Sequence, residues 1–242
     1  IYPSRYGAWD DQISLYSNEN APVGGFDLIV IGTPPDSHMS LARSAVHEGA
    51  KAVLVEKPLC TPDLSGAQEL FNEAREANCL VFVGYDHAIS KSALKMSESL
   101  KSQQMGKINT LDVEFREYWG GIFKAHPWLD GPADSYLGYF QKGGGACGEH
   151  SHAINLFQSF AHEANMGKVK EVSSLMNFIN DGILDYDSVC LMNLKTEKNI
   201  IGRVVQDVIT KPTRKWARAQ CENGYLEWLC GDKPGFDSVV YG

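Results

Sequence analysis

The stretch from Asp27 to Leu59 constrains the fold more than any other part of the chain. Asp27-Leu-Ile-Val-Ile-Gly-Thr-Pro-Pro-Asp-Ser-His38 and Ala52-Val-Leu-Val-Glu-Lys-Pro-Leu59 each hold a short β-branched run that ends in turn residues. A helical stretch over 37–48 separates them, so the segment reads as strand, helix and parallel strand. Open α/β sheets bind ligands in the crevice beyond the carboxyl ends of their strands. Lys57, at the end of the second run, is thereby predicted to stand at such a crevice.

The same rhythm continues to residue 84. Helical spacing over 63–77 brings Leu64, Ala67, Leu70, Phe71 and Ala74 to one side, with Thr61 or Asp63 as its N-cap, and Cys79 to Gly84 reads as a third strand. These strands are apolar without alternation, which predicts a sheet covered on both faces. A helix over 88–103 follows, broken at Gly106. Beyond it the grammar changes to a strand at 108–118, a long loop at 119–142, a helix at 149–161, and strand segments at roughly 169–179, 186–195, 200–210 and 216–229. Asn223-Gly224 marks a two-residue hairpin. The predicted fold class is therefore α/β, a partial parallel sheet over 1–87 followed over 88–242 by an α+β domain with a large, mainly antiparallel open sheet.

Composition excludes several classes. The 242 residues are 43% hydrophobic and 21% charged, which suits a soluble globular protein with a real core. Twenty-two basic against thirty acidic residues give a net charge of -8, with no basic stripe for a phosphate backbone, so nucleic acid is not expected as a partner. No apolar run approaches the roughly 18 residues of a membrane span, and Ile1 to Asp10 lacks the features of a signal peptide. Six scattered cysteines without a CxxC pair fit a reducing compartment, and the expected location is cytoplasmic.

The loop 119–142 is longer than most connections in compact domains, and loops of that length are usually functional or disordered. Trp119, His126, Trp128, Asp130, Asp134, Tyr136 and Tyr139 make it too aromatic for disorder. It reads as a pocket wall or an interface.

DLIVIGTPPDSHMSLARSAVHEGAKAVLVEKPL, the following Val81-Phe-Val-Gly-Tyr85, and Gly143-Gly-Gly-Ala-Cys-Gly-Glu-His-Ser-His-Ala-Ile-Asn155 together resemble the Gfo/Idh/MocA family of NAD(P)-dependent oxidoreductases. The resemblance implies a Rossmann domain followed by an α/β domain with an open sheet. It also implies NAD or NADP as cofactor, a carbohydrate-like substrate, and a homo-dimer or homo-tetramer joined through that sheet. It carries cofactor contacts to Gly32, Thr33, Pro34, Pro35, His38, Glu56, Lys57 and Pro58. Lys57 of the EKP motif would lie beside both substrate hydroxyl and nicotinamide ribose.

Departures from the family pattern are equally informative. A dinucleotide fold needs a GxGxxG turn leading from a strand into a helix, and an acidic residue about 20 positions on. Neither is found. The first confident strand resembles the family's fourth, so the opening units, on the order of 60 residues at about 30 per βαβ unit, read as absent, as does the C-terminal end. The chain is expected to be a fragment that binds NAD(P) weakly or not at all. Asp86 and His87 stand where many relatives have Arg or Asn.

Removing hydride from a secondary alcohol requires a base for the hydroxyl proton and an anchor for the carbon. Lys57 and His152 are the predicted pair, with Glu149 as the acidic substrate-binding residue. A helix starting at Glu149 would align Glu149, His152 and Asn155 on one face, and Trp119, His126, Trp128 and Asn155 are the further substrate candidates. The bland alternatives are a helix-capping Glu, packed histidines, and aromatics buried in a core or subunit contact. His150-Ser-His152 with Cys147, Glu149 and His126 also invites a metal, but alternate helical residues point apart and none is expected. Two function classes follow. One is an oxidoreductase moving hydride between NAD(P) and a hydroxyl of a sugar, cyclitol or sugar derivative, with a redox-assisted glycoside lyase or hydrolase as its variant. The other is a non-catalytic dinucleotide-binding sensor on the same fold.

Overall fold

The computed structural model describes residues 10–17, 19–233 and 236–242. Strands β1 (Leu28–Ile31), β2 (Ala52–Val55) and β3 (Leu80–Val83) form a parallel sheet in that order, linked by helices α1 (Pro35–His47) and α2 (Ala67–Glu76). Pro35 begins α1 with its φ already suited to the first turn, and Gly49, at φ +86°, accepts the left-handed conformation just after its end. Both helices bury their apolar stripes on one face of the sheet. There Met39, Ala42, Val46, Leu70 and Ala74 pack with Ile31, Val53 and Val55.

The rest of the chain builds a seven-stranded sheet from β4 (Ile108–Arg116), β5 (Val169–Asn180), β6 (Asp185–Thr196), β7 (Ile201–Asp207), β8 (Arg214–Cys221), β9 (Gly224–Lys233) and β10 (Phe236–Tyr241). Its order is β10-β9-β8-β4-β7-β6-β5, antiparallel throughout except for the parallel β4–β7 pair. Helices α3 (Lys91–Lys101) and the later His152–Glu163 helix cover one face, over a core of Met96, Leu100, Leu111, Val113, Phe115, Leu156, Phe157, Phe160 and Trp228. On the other face Leu175, Leu191 and Ile201 are exposed beside an ion-pair ladder, in which Arg203 meets Asp112 and Glu114 and Arg214 meets Glu114.

Several sequence expectations are corrected. The three-stranded sheet is covered on one face only among the described residues: Leu28, Val30, Leu80 and Phe82 are 53%, 58%, 62% and 51% exposed. Because α1 and α2 pack on the same side, the two-residue strand period leaves every second apolar side chain open. The helix expected over 63–77 starts at Ala67. Thr61 donates to Asp63 (2.6 Å), and Asp63 accepts the Ser65 N–H (3.2 Å), so these residues close a local turn instead of capping a helix. The helix expected over 88–103 is a 3-10 turn, Asp86–Ile89, followed by α3. The loop 119–142 holds α4 (Gly120–Ala125) and three 3-10 turns, Pro132–Asp134, Tyr136–Gly138 and Phe140–Lys142. The helix expected over 149–161 is two helices, α5 (Gly145–Glu149) and α6 (His152–Glu163), broken at His150 and Ser151. Cys221 pairs with Gly224, so the hairpin turn is Glu222-Asn223, one residue earlier than expected. No helix among the described residues is long and apolar enough to cross a membrane, and residues 1–9, read above for a leader, lie outside the described part.

Candidate active site

Lys57 leaves the end of β2 through a cis Lys57–Pro58 peptide and reaches Glu149, at the last position of α5. Its Nζ lies 2.9 Å from Glu149 Oε2 and donates to the Glu149 main-chain carbonyl at 3.0 Å. Tyr136 donates its O–H to the same Oε2 at 3.3 Å. Both members of the ion pair are about five-sixths buried, so water competes with the contact only weakly.

A glycine turn makes this meeting possible. A Cβ on Gly143 would press on Pro35 and Pro58 at 3.0 and 3.3 Å, so the turn lies directly against both prolines. Gly145 sits at φ +78°, and a Cβ there would collide with Asp187 Oδ1. Asp187 is buried and accepts the Cys147 N–H at 2.8 Å. Burial pushes its carboxyl up to about 6, against the pull of that hydrogen bond. Residues 143–148 spell a GxGxxG string, but it follows a 3-10 turn and opens a helix of five residues, so it is no strand-to-helix phosphate loop.

The residues expected to touch a cofactor divide into a rim and an inner layer. Gly32, Thr33, Pro34 and Glu56 are exposed and Lys57 is half-buried, whereas Pro35, His38 and Pro58 are buried. His38 is fully buried, with Nε2 2.6 Å from the Thr33 carbonyl and Nδ1 3.0 Å from that of Pro58. It ties the turn after β1 to the turn after β2 and is not among the residues that line the crevice described below. Gly84 leaves room for the Glu56 carboxylate, which a Cβ would meet at 3.1 Å.

Above this rim opens a crevice of about 720 Å³, with Leu28, Leu54 and Phe82 as apolar floor and Glu56, Lys57, Tyr85, Asp86 and His152 as polar groups. His152 begins α6, with its ring edge-on to Tyr85 and His87 and stacked at 6.0 Å on Phe115. Its Nδ1 is buried without a hydrogen-bond partner among the described residues, 3.7 Å from Asp86 Oδ1. Burial, then the nearby Lys57 charge, pull its pKa down to about 3, so the ring is neutral at pH 7.

The remaining candidates scatter. The helix break puts Glu149 on α5, so it does not share a helical face with His152 and Asn155 as expected, although those two remain three positions apart on α6. Asn155 Oδ1 is buried and unpaired among the described residues. Trp119 is buried in a small core with Leu137, Ala146 and Val208, against Tyr186, and does not line the crevice. This is the bland reading of that aromatic. His126 Nδ1 bonds the Ile122 carbonyl and its ring meets Trp128, which is half exposed. Tyr85, Asp86 and the floor residues enter the crevice without having been chosen as ligands. Tyr85 and Asp86 lie just beyond the end of β3, whereas Leu28, Leu54 and Phe82 come from the open face of β1, β2 and β3.

Residues 8–85 match the family model described as "Oxidoreductase family, NAD-binding Rossmann fold", GFO_IDH_MocA. Over these residues the chain is similar to this family. An uncharacterized oxidoreductase of Schizosaccharomyces pombe (strain 972 / ATCC 24843) is 28% identical over 106 residues, 44% of this chain and 28% of that protein. Among solved structures, GenD2 from gentamicin A biosynthesis, in complex with NAD, superposes with a TM-score of 0.72 at 17% identity, covering 87% of this chain and 56% of that one. An inositol dehydrogenase homolog from Azotobacter vinelandii, complexed with NAD+, gives 0.71 at 18% identity, covering 89% and 57%. Levoglucosan dehydrogenase, in complex with NADH and levoglucosan, gives 0.70 at 14% identity, covering 89% and 60%. These likenesses show that the fold of both sheets is shared with those structures. The chain spans little more than half the length of the solved relatives, and its match spans about a quarter of the curated ones.

Proposed function

We propose that the protein is part of an NAD(P)-dependent dehydrogenase acting on a hydroxyl of a sugar, cyclitol or sugar derivative, with a Rossmann part over 1–87 and a substrate and oligomerisation part over 88–242. The observation that carries this reading is the meeting of Lys57 with Glu149 at a crevice that also receives His152. Two segments far apart in sequence thereby supply a cation, a carboxylate and a neutral imidazole to one place. Relatives of the same fold crystallised with NAD or NADH and with levoglucosan or myo-inositol support the substrate and cofactor class.

The cofactor fits the crevice in part. An apolar floor with a polar rim suits a flat ring and its ribose, and Glu56, Lys57 and the exposed Gly32–Pro34 turn would hold that end. NAD(P), when bound, supplies the hydride acceptor or donor. Lys57 orients the substrate oxygen by hydrogen bonding, and Glu149 with Tyr136 fixes the ammonium in place. His152 takes the hydroxyl proton at Nδ1. The Asp86 carboxylate, 3.7 Å away and exposed, then stabilises the imidazolium and passes the proton to solvent. A base held this low stores a proton poorly, which makes that exit through Asp86 necessary.

The scattered free cysteines support a reducing, cytoplasmic setting. The exposed Leu175, Leu191 and Ile201 support a homo-dimer or tetramer through the seven-stranded sheet. The test is substrate-dependent NAD(P)+ reduction by the full protein against a panel of sugars and cyclitols. Lys57→Ala should abolish turnover while dinucleotide binding persists, and unchanged turnover would overturn the assignment.

A further inference from the structure

We infer that Asp86, His87 and His152 form a binding site for one divalent transition metal ion of the Zn2+ type. One ligand atom from each residue lies within 4.8 Å of the other two. The juxtaposition is tertiary. Asp86 and His87 open the 3-10 turn that follows β3, whereas His152 begins α6. It differs from the His150-Ser-His152 arrangement that the sequence suggested.

Tetrahedral Zn2+ holds N and O ligands at about 2.0–2.2 Å, which puts ligand atoms roughly 3.4 Å apart. His152 Nδ1 and Asp86 Oδ1, at 3.7 Å, nearly meet that spacing already. The atoms lie within 4.8 Å of one another, so reaching that spacing takes at most about 1.4 Å, and the Asp86 side chain, 80% exposed, has room to move.

The donor set selects the ion. Two imidazoles and one carboxylate suit Zn2+ and its transition-metal neighbours, whereas Mg2+ and Ca2+ prefer oxygen throughout. The buried His152 Nδ1 has no hydrogen-bond partner among the described residues, and a metal would satisfy it. Both rings are already held. His87 stands edge-on to Phe115 at 5.1 Å and to Trp228 at 6.1 Å, and His152 stacks on Phe115. Burial holds both imidazoles below the usual histidine range, so neither proton need be displaced at neutral pH. The Lys57 charge opposes a cation here, but Glu149 offsets it at 2.9 Å. Three protein ligands leave a fourth position, and His152 and Asp86 both line the crevice onto which it would open.

The site does not depend on the dehydrogenase reading. If that reading holds, a metal on His152 removes its proton acceptor, and Zn2+ inhibits turnover. Calorimetric titration of Zn2+ alone into the protein, with Co2+ absorption as the second readout, tests the site directly. One ion per chain should bind with micromolar or tighter affinity, and Co2+ should give the intense visible band of a four-coordinate site. His87→Ala and Asp86→Asn should each weaken binding at least tenfold, and Asp86→Asn should lose the Co2+ band. Asp86 is exposed, so its variant keeps the test meaningful even if His87→Ala fails to fold. Absence of saturable binding, or wild-type affinity in Asp86→Asn, would overturn the inference.

Discussion

Lys57 and Glu149 stand 92 positions apart in the chain and meet with Nζ 2.9 Å from Oε2. Nζ also bonds the main-chain carbonyl of Glu149, so the contact depends on where α5 ends as well as on the side chain. Glu149→Gln should therefore keep the main-chain bond and part of the geometry, whereas Glu149→Ala leaves a largely buried ammonium with only the carbonyl. Removing one member of a buried pair costs about 3–5 kcal/mol, and this pair, about 15% exposed, should fall toward the lower end. Denaturant unfolding should show Ala losing clearly more stability than Gln. Equal losses would mean that the retained amide contributes nothing and that the lost charge accounts for the whole effect.

Gly145→Ala should be more damaging than its single methyl suggests. The left-handed φ of +78° disfavours a side chain, and the new Cβ would collide with Asp187 Oδ1. Strain of this kind costs on the order of 1–3 kcal/mol before the collision is counted. The melting temperature should drop, and turnover should fall more than Tyr136→Phe lowers it, because the whole turn that delivers Glu149 is displaced.

Acid should destabilise the fold through its histidines. His152 has a folded pKa of about 3 against 6.5 when unfolded, and burial lowers His87 and His150 in the same direction. The unfolded chain then binds more protons between about pH 6.5 and 3, so stability rises with pH across that window and is lost on acidification. Each such proton is worth about 1.4 kcal/mol per pH unit. Asp187, raised to about 6, acts oppositely between its unfolded value of 3.8 and 6 and removes part of the slope. Thermal melts from pH 7 to 4 should fall steadily. His152→Gln should flatten the decline and Asp187→Asn should steepen it, and a pH-independent melting temperature would contradict the histidine shifts.

Leu191→Glu tests the open sheet as a subunit interface. Leu191 is 40% exposed on the outer face, cross-strand from Leu175 and Val205. A charge there should convert a dimer or tetramer to a smaller species in light scattering. A wild-type protein that is already monomeric would refute the interface.

Element types were largely legible in the sequence because apolar runs and helical spacing report local burial. β1, β2, β3 and the core stripe of α1 follow directly from Asp27–Val83. Which face of the small sheet stays open was not legible, because a continuously apolar strand such as Leu28–Ile31 looks the same whether one face or both are covered. The break at His150-Ser151 was hidden as well, since Glu149, His152 and Asn155 recur at spacings that one helix would satisfy. Thr61 and Asp63 misled for a related reason. Their side chains serve a turn as readily as a cap, and Gly66 in the left-handed region delayed the helix.

By itself the sequence determined a parallel strand-helix-strand unit, a lysine at its carboxyl edge, and a second region rich in antiparallel strands. The residues concerned are neighbours in the chain, so their spacing encodes their geometry. Only the tertiary structure decided that Glu149 closes on Lys57, that His38 is a buried tie, and that Asp86 and His87 face His152. Those relations join segments tens of residues apart through packing of a glycine turn on two prolines and of α6 against β4, and no local period records such contacts.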